Sequence, residues 1–247
     1  MRARIVALAF PETRRSVLLR VRSEDALERA RALDVVAAVY WRPVYRHVRA
    51  RFRLAEAEAE DLVQGFFAAA LEKGWLERFD PGRGRFRSYL LACLDGHAAH
   101  ERRAGAAQKR GGGVSFVSLA DETGDGPGVT RAVADGTDLD AVFQREWARS
   151  VFTLALQALA ARCAGTPRET AFAVFRRCDV EGAESDERPS YAALAGEFGL
   201  SVSQVTNHLH WARRELRREV LGTLRATTAS DDEFRAEART LLGVEAP

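Results

Sequence analysis

Amide, hydroxyl, imidazole and guanidinium side chains crowd residues 201–218, and their order suits chemistry directed at a nucleic acid. Ser203, Gln204, Thr206, Asn207 and His210 come first, and Arg213, Arg214, Arg217 and Arg218 follow. The first set can pair with base edges in a major groove, while guanidinium groups further along can hold phosphates. At ~1.5 Å per residue, the arginines lie roughly 9–20 Å along the axis from Gln204, Thr206 and Asn207.

Such groups need a helix that is capped and anchored. Ser201, with Gln204 three residues on, forms a capping box. Val205, Leu209, Ala212 and Leu216 supply a buried stripe. Upstream, Tyr191–Phe198 reads as a shorter helix carrying Leu194, Ala195 and Phe198. Gly199 stands where a tight turn favours positive φ. The pattern predicts a helix-turn-helix with a polar, then basic, outer face. Trp211 is expected to pack rather than to read bases.

Elsewhere the hydrophobic spacing is helical too. Helices are expected at about 25–52, with Pro43 kinking or splitting the first, and at 56–72, 86–103, 139–163, 169–178, 202–224 and 232–242. Residues 179–188 read as an acidic loop. Periodicity fails between Gly105 and Asp138, where Gly111-Gly112-Gly113, Gly124, Gly126, Pro127, Gly128 and Gly136 stand among acidic and small residues. Ile5–Phe10 and Val114–Leu119 are the only stretches that hint at strands. The predicted fold is all-α, in two helical domains joined by a flexible linker, the C-terminal one containing the helix-turn-helix. The boundaries run 1–23 for a basic extension, 24–104, 105–138 for the linker, 139–225, and 226–247 for an acidic tail helix.

Charge follows this organisation. The net charge of +2 says little, but 35 of the 37 basic residues are arginine. Residues 1–22 and 83–110 each sum to +5 and residues 200–225 to +3, whereas 111–146 sum to −5 and 226–247 to −3. Two basic elements facing nucleic acid, separated by acidic segments, fit this alternation.

Three segments in the N-terminal half join the helix-turn-helix in a specific combination. They are Tyr40-Trp41-Arg42-Pro43-Val44-Tyr45, Ala59-Glu60-Asp61-Leu62-Val63-Gln64-Gly65-Phe66-Phe67, and Gly84-Arg85-Phe86-Arg87-Ser88-Tyr89-Leu90-Leu91. Together they resemble a bacterial RNA polymerase sigma factor of the sigma-seventy family, over roughly residues 10–225. The match is nearest to the extracytoplasmic-function group, which keeps only regions two and four. The resemblance implies a promoter-specificity subunit whose partners are core RNA polymerase and promoter DNA, with an anti-sigma protein as a candidate regulator. It places polymerase docking on Asp61, Gln64, Phe67 and Leu71 of the second helix, and capture of a −10 element on Arg87, His97, His100, Arg102, Arg103, Lys109 and Arg110. The −35 element falls to Ser203, Gln204, Thr206, Asn207, His210, Arg213, Arg214 and Arg217. This chain departs from the family at Gly96 and His100, where Asn and Asp are usual, and at Thr206, His208 and Trp211, where Arg or Lys is common. Promoter sequences therefore do not carry over from relatives.

Other classes are disfavoured. No nucleotide-binding glycine loop, HExxH or GxSxG pattern occurs, so no residue receives a catalytic role and no cofactor is expected. Cys93, Cys163 and Cys178 lack ligand spacing and read as free buried thiols, and His97 with His100 lacks further metal ligands. With neither a signal peptide nor a ~20-residue apolar run, a cytoplasmic location away from membranes is expected. The remaining rival is a helix-turn-helix regulator that binds duplex palindromes without polymerase; the basic stretch at 83–110 weighs against it.

Overall fold

The structure, a computed structural model, describes residues 21, 23, 25–109, 138–184 and 188–243. Among these residues it is helical without strands. The basic extension up to residue 20, the linker at 110–137 and both strand-like stretches lie outside the described residues.

Helix α1 spans Ala26–Phe52, opened by Asp25, whose carboxylate accepts the Leu27 N–H at 2.8 Å. It continues through Pro43 rather than splitting. Val35, Val36, Val39, Tyr40, Val44 and Val48 are all buried along it, the three-to-four spacing seen in the sequence. Helix α2 spans Glu56–Glu72, with the Glu58 carboxylate accepting the Ala55 N–H at 3.0 Å. Short 3-10 turns at Leu76–Arg78 and Pro81–Arg83 lead into α3, Phe86–Lys109, which runs beyond the expected Arg103.

Helix α4 covers Leu139–Cys163, capped by Asp138. Helix α5, Glu169–Phe175, widens into a π turn at Arg176–Val180 and a last turn, α6, at Glu181–Glu184. The acidic segment read as a loop is thus helical in part. Helices α7, Tyr191–Phe198, and α8, Val202–Thr227, are joined by a tight turn at Gly199, and α9, Asp231–Leu242, follows.

The hydrophobic core extends across both halves of the chain. Phe66, Phe86, Leu90 and Leu94 of the first half share one cluster with Phe143, Trp147 and Val151 of α4, Val220 and Leu224 of α8, and Phe234 and Ala238 of α9. Large apolar side chains buried this fully contribute ~1.5–3 kcal/mol each. Arg42 of α1 adds a 3.0 Å ion pair to Glu146 of α4. A second, smaller cluster joins Val174, Phe175 and Cys178 to Leu194, Ala195, Val205, Leu209 and Ala212. Helix α8 connects the two, its first turns in the small cluster and its last turns in the large one. Cys93, Cys163 and Cys178 are free and buried. No described helix is long and apolar enough to cross a membrane.

Candidate nucleic-acid interface

The α7–α8 pair is assembled by local chemistry. Ser190 caps α7 by accepting the Ala193 N–H at 3.1 Å. Gly199 takes the left-handed conformation at φ 64°, which ends α7 and lets the Leu200 N–H reach the Ala195 carbonyl at 2.9 Å. Ser201 accepts the Gln204 N–H at 3.2 Å while the Gln204 side chain accepts the Ser201 N–H at 2.8 Å, completing the capping box. Val205, Leu209 and Ala212 then face inward and are buried.

Ser203, Gln204, Thr206, Asn207 and His210 are exposed together on the outer face. Two of them are partly engaged within the helix. Gln204 serves the cap, and the Thr206 hydroxyl donates to the Val202 carbonyl at 2.9 Å. The arginines divide more sharply. Arg213 donates to Asp179, and Arg188 bonds the same carboxylate. Burial alone would raise the Asp179 carboxyl, but these two arginines hold it below the usual carboxylate range. Arg214 and Arg218 gather on Glu215 at 3.3 and 3.1 Å, and Arg162 of α4 reaches the same carboxylate at 2.8 Å. Arg217 makes no ion pair among the described residues and is exposed. Trp211 packs as expected: it is half-buried, with the Arg168 guanidinium 4.7 Å from its ring.

The face expected on α3 is only partly open. Arg87 is 5% exposed rather than presented to solvent. Its guanidinium lies over the Trp147 ring at 4.3 Å and bonds the Glu237 carboxylate of α9 and the Gln144 side chain of α4. Glu237 is 1% exposed, with its carboxyl pushed up by burial and pulled back by Arg87 and Arg85. His97 is also buried, its ring 5.9 Å from Phe66 and 6.0 Å from Trp75, and burial lowers its pKa. Both are corrections to the expected −10 face in this conformation. They share the apolar stripe of α3, and the packing of α2, α4 and α9 closes over them. His100, Arg102 and Arg103 remain exposed, Arg102 lying 5.8 Å from the Phe52 ring. The Lys109 side chain and Arg110 fall outside the described residues.

On α2, Asp61 and Gln64 are exposed, as is Leu71 at 48%. Phe67 is not available with them. It is 9% exposed, stacks on Trp41 at 5.6 Å and meets Phe66 edge-on at 5.3 Å. The wide apolar stripe of α2 is therefore mostly consumed by the core.

The sequence pattern does not reveal Asp179, Glu215, Gln144, Trp147 or Glu237 as partners of the basic residues, nor Glu233 as the acceptor of the Phe86 N–H. The acidic sum of the tail was the one signal pointing to any of them.

Residues 38–107 match the family model Sigma-70 region 2, a span that takes in most of α1, all of α2 and nearly all of α3. The match supports the presence of a sigma-70 region 2 over this part of the chain, the region found in sigma factors of transcription initiation. Neither the curated proteins nor the solved structures contain a match to the chain.

Proposed function

We propose that the chain is an extracytoplasmic-function type sigma factor that binds core RNA polymerase and directs it to promoters. What carries the reading is the combination of a Sigma-70 region 2 match at 38–107 with a capped, basic-faced helix following a tight turn at 191–218 in the same chain. In this reading α2 docks on polymerase through Asp61, Gln64 and Leu71. His100, Arg102, Arg103, Lys109 and Arg110 hold the −10 strand, with Arg87 joining them only if it is uncovered. Ser203, Gln204, Thr206, Asn207 and His210 read the −35 element in the major groove, and Arg213, Arg214 and Arg217 position the helix on phosphates. An anti-sigma protein that restrains the factor would cover one of these faces.

The test mixes purified chain with core polymerase and a library of promoter fragments. Co-elution with core and transcripts that require both the chain and particular upstream sequences are expected. Tight binding to duplex DNA without polymerase, and no chain-dependent transcript, would make it an ordinary helix-turn-helix regulator instead.

A further inference from the structure

We propose that helix α9 is an intramolecular latch, whose Glu233 and Glu237 hold the chain closed in a form unable to engage both promoter elements at once. The inference rests on the sigma-factor reading above.

Helix α9 bonds directly to the start of α3. The Glu233 carboxylate accepts the Phe86 N–H at 3.0 Å through one oxygen and the Ala229 N–H at 3.0 Å through the other. A carboxylate at a helix N-terminus is where the helix dipole favours it. One turn on, Glu237 bonds Arg87 and lies 3.6 Å from Arg85. The opposite side of α9 is bound to α8. Phe234 and Ala238 are buried in the shared core with Val220 and Leu224, Arg225 pairs with Asp231 at 2.6 Å, and the Arg225 guanidinium lies 4.8 Å from the Phe234 ring. One helix thus clamps the −10 helix to the far end of the recognition helix.

This geometry fails a length requirement. From Gln204 to Leu224 along α8, and from Phe86 to Arg103 along α3, at ~1.5 Å per residue with one ~10 Å helix spacing between, the span is roughly 65 Å even laid end to end. Elements centred ~25 base pairs apart, at ~3.4 Å per step, lie about 85 Å apart on a straight duplex. The closed form also keeps Arg87 covered. Engagement of both elements requires α8 to leave α3, which breaks the α9 contacts to Phe86, Arg85 and Arg87 together with the packing of α4 on α1.

The pair Arg87–Glu237 suits a switch better than a brace. A buried ion pair adds little net stability over an apolar contact, yet removing one partner leaves an uncompensated buried charge. Replacing the tail carboxylates by neutral amides of the same shape should therefore shift the balance toward the open form.

The experiment uses the full chain labelled with a donor and an acceptor fluorophore at E101C and A192C, both exposed positions. The native cysteines are buried, which directs labelling to the new ones. Energy transfer is read with and without core polymerase, alongside helical content and polymerase affinity. In the parent chain, transfer should be high and should fall when polymerase is added. In E233Q/E237Q it should be low without polymerase, and the apparent Kd for core should drop roughly tenfold if the parent is about nine-tenths closed. D231A, which removes only an exposed contact of the latch, should shift both readings in the same direction by less; it decides the matter if E233Q/E237Q loses helical content. Unchanged transfer and unchanged affinity in a folded variant would overturn the latch. Failure of the parent chain to support any promoter-dependent transcript overturns the sigma-factor reading instead, while transfer in the free chain still reports on the latch.

Discussion

Arg213 donates to Asp179 through two guanidinium nitrogens, Nε at 2.6 Å and Nη2 at 2.9 Å, tying α8 to the π turn before it. A guanidinium held in this fork is oriented, and it is not free to move wholly onto a phosphate. Asp179→Asn should release it. Promoter titrations over a salt range, made with the polymerase complex, should then show tighter binding at low salt and a steeper slope by about one unit. An unchanged slope would mean that Arg213 stays clear of the backbone in the bound state.

Base reading and backbone holding should separate within α8. Asn207 is exposed beside the cap, and Arg217 makes no ion pair among the described residues, so these two are the cleanest probes. Asn207→Ala should change which −35 variants are preferred, by ~1–3 kcal/mol at one position, with little effect on salt dependence. Arg217→Ala should weaken all sequences alike and reduce the slope by about one. The opposite pattern would place the helix in the groove the other way round.

Docking and core packing can be told apart on α2. Asp61→Ala with Gln64→Ala changes two exposed side chains, and melting should move by no more than ~0.5 kcal/mol while co-elution with core polymerase weakens. Phe67→Ala removes a ring stacked on Trp41 and should destabilise the fold by about 3–5 kcal/mol. Paired thermal melts and gel filtration check both. A Phe67→Ala chain that melts like the parent would return that side chain to the docking surface.

Acid should weaken the fold through His47. Burial holds this imidazole down to about 4, with the neighbouring Arg51 adding to the effect and Asp140 and the Leu139 backbone partly offsetting it. The unfolded chain takes up this proton near 6.5 and the folded chain resists it. The contribution is therefore complete above pH 6.5, falls between 6.5 and about 4, and amounts to on the order of 3 kcal/mol. Denaturant titrations at stepped pH should show this loss, and His47→Leu should flatten the profile in that window. Equal acid sensitivity in both chains would assign the effect to other groups.

Cutting the linker should not release two particles. With a protease site placed between Gly111 and Gly136, the cleaved halves should still co-elute, because α4, α8 and α9 share the large core with α1, α2 and α3. Clean separation at micromolar concentration would mean that the halves hold together only through the covalent link.

What the sequence determined by itself was local. Helix ends at Glu56, Glu72, Cys163 and Phe198 were legible to the residue, because caps, turns and a 3.6-residue apolar period act within a few positions of one another. The same holds for the box at Ser201 and the turn at Gly199, which together position the outer face of α8. Which side of each stripe meets a partner was settled by packing in three dimensions. Phe67, His97 and Arg87 lie on faces wide enough to serve either a core or a surface, and periodicity marks a face without saying what covers it. The partner of Arg87 stands 150 residues away in α9, and that of Arg213 lies 34 residues upstream. Charge sums could place acidic and basic blocks along the chain, but Coulomb attraction sets no pairing until packing brings particular groups within hydrogen-bond reach.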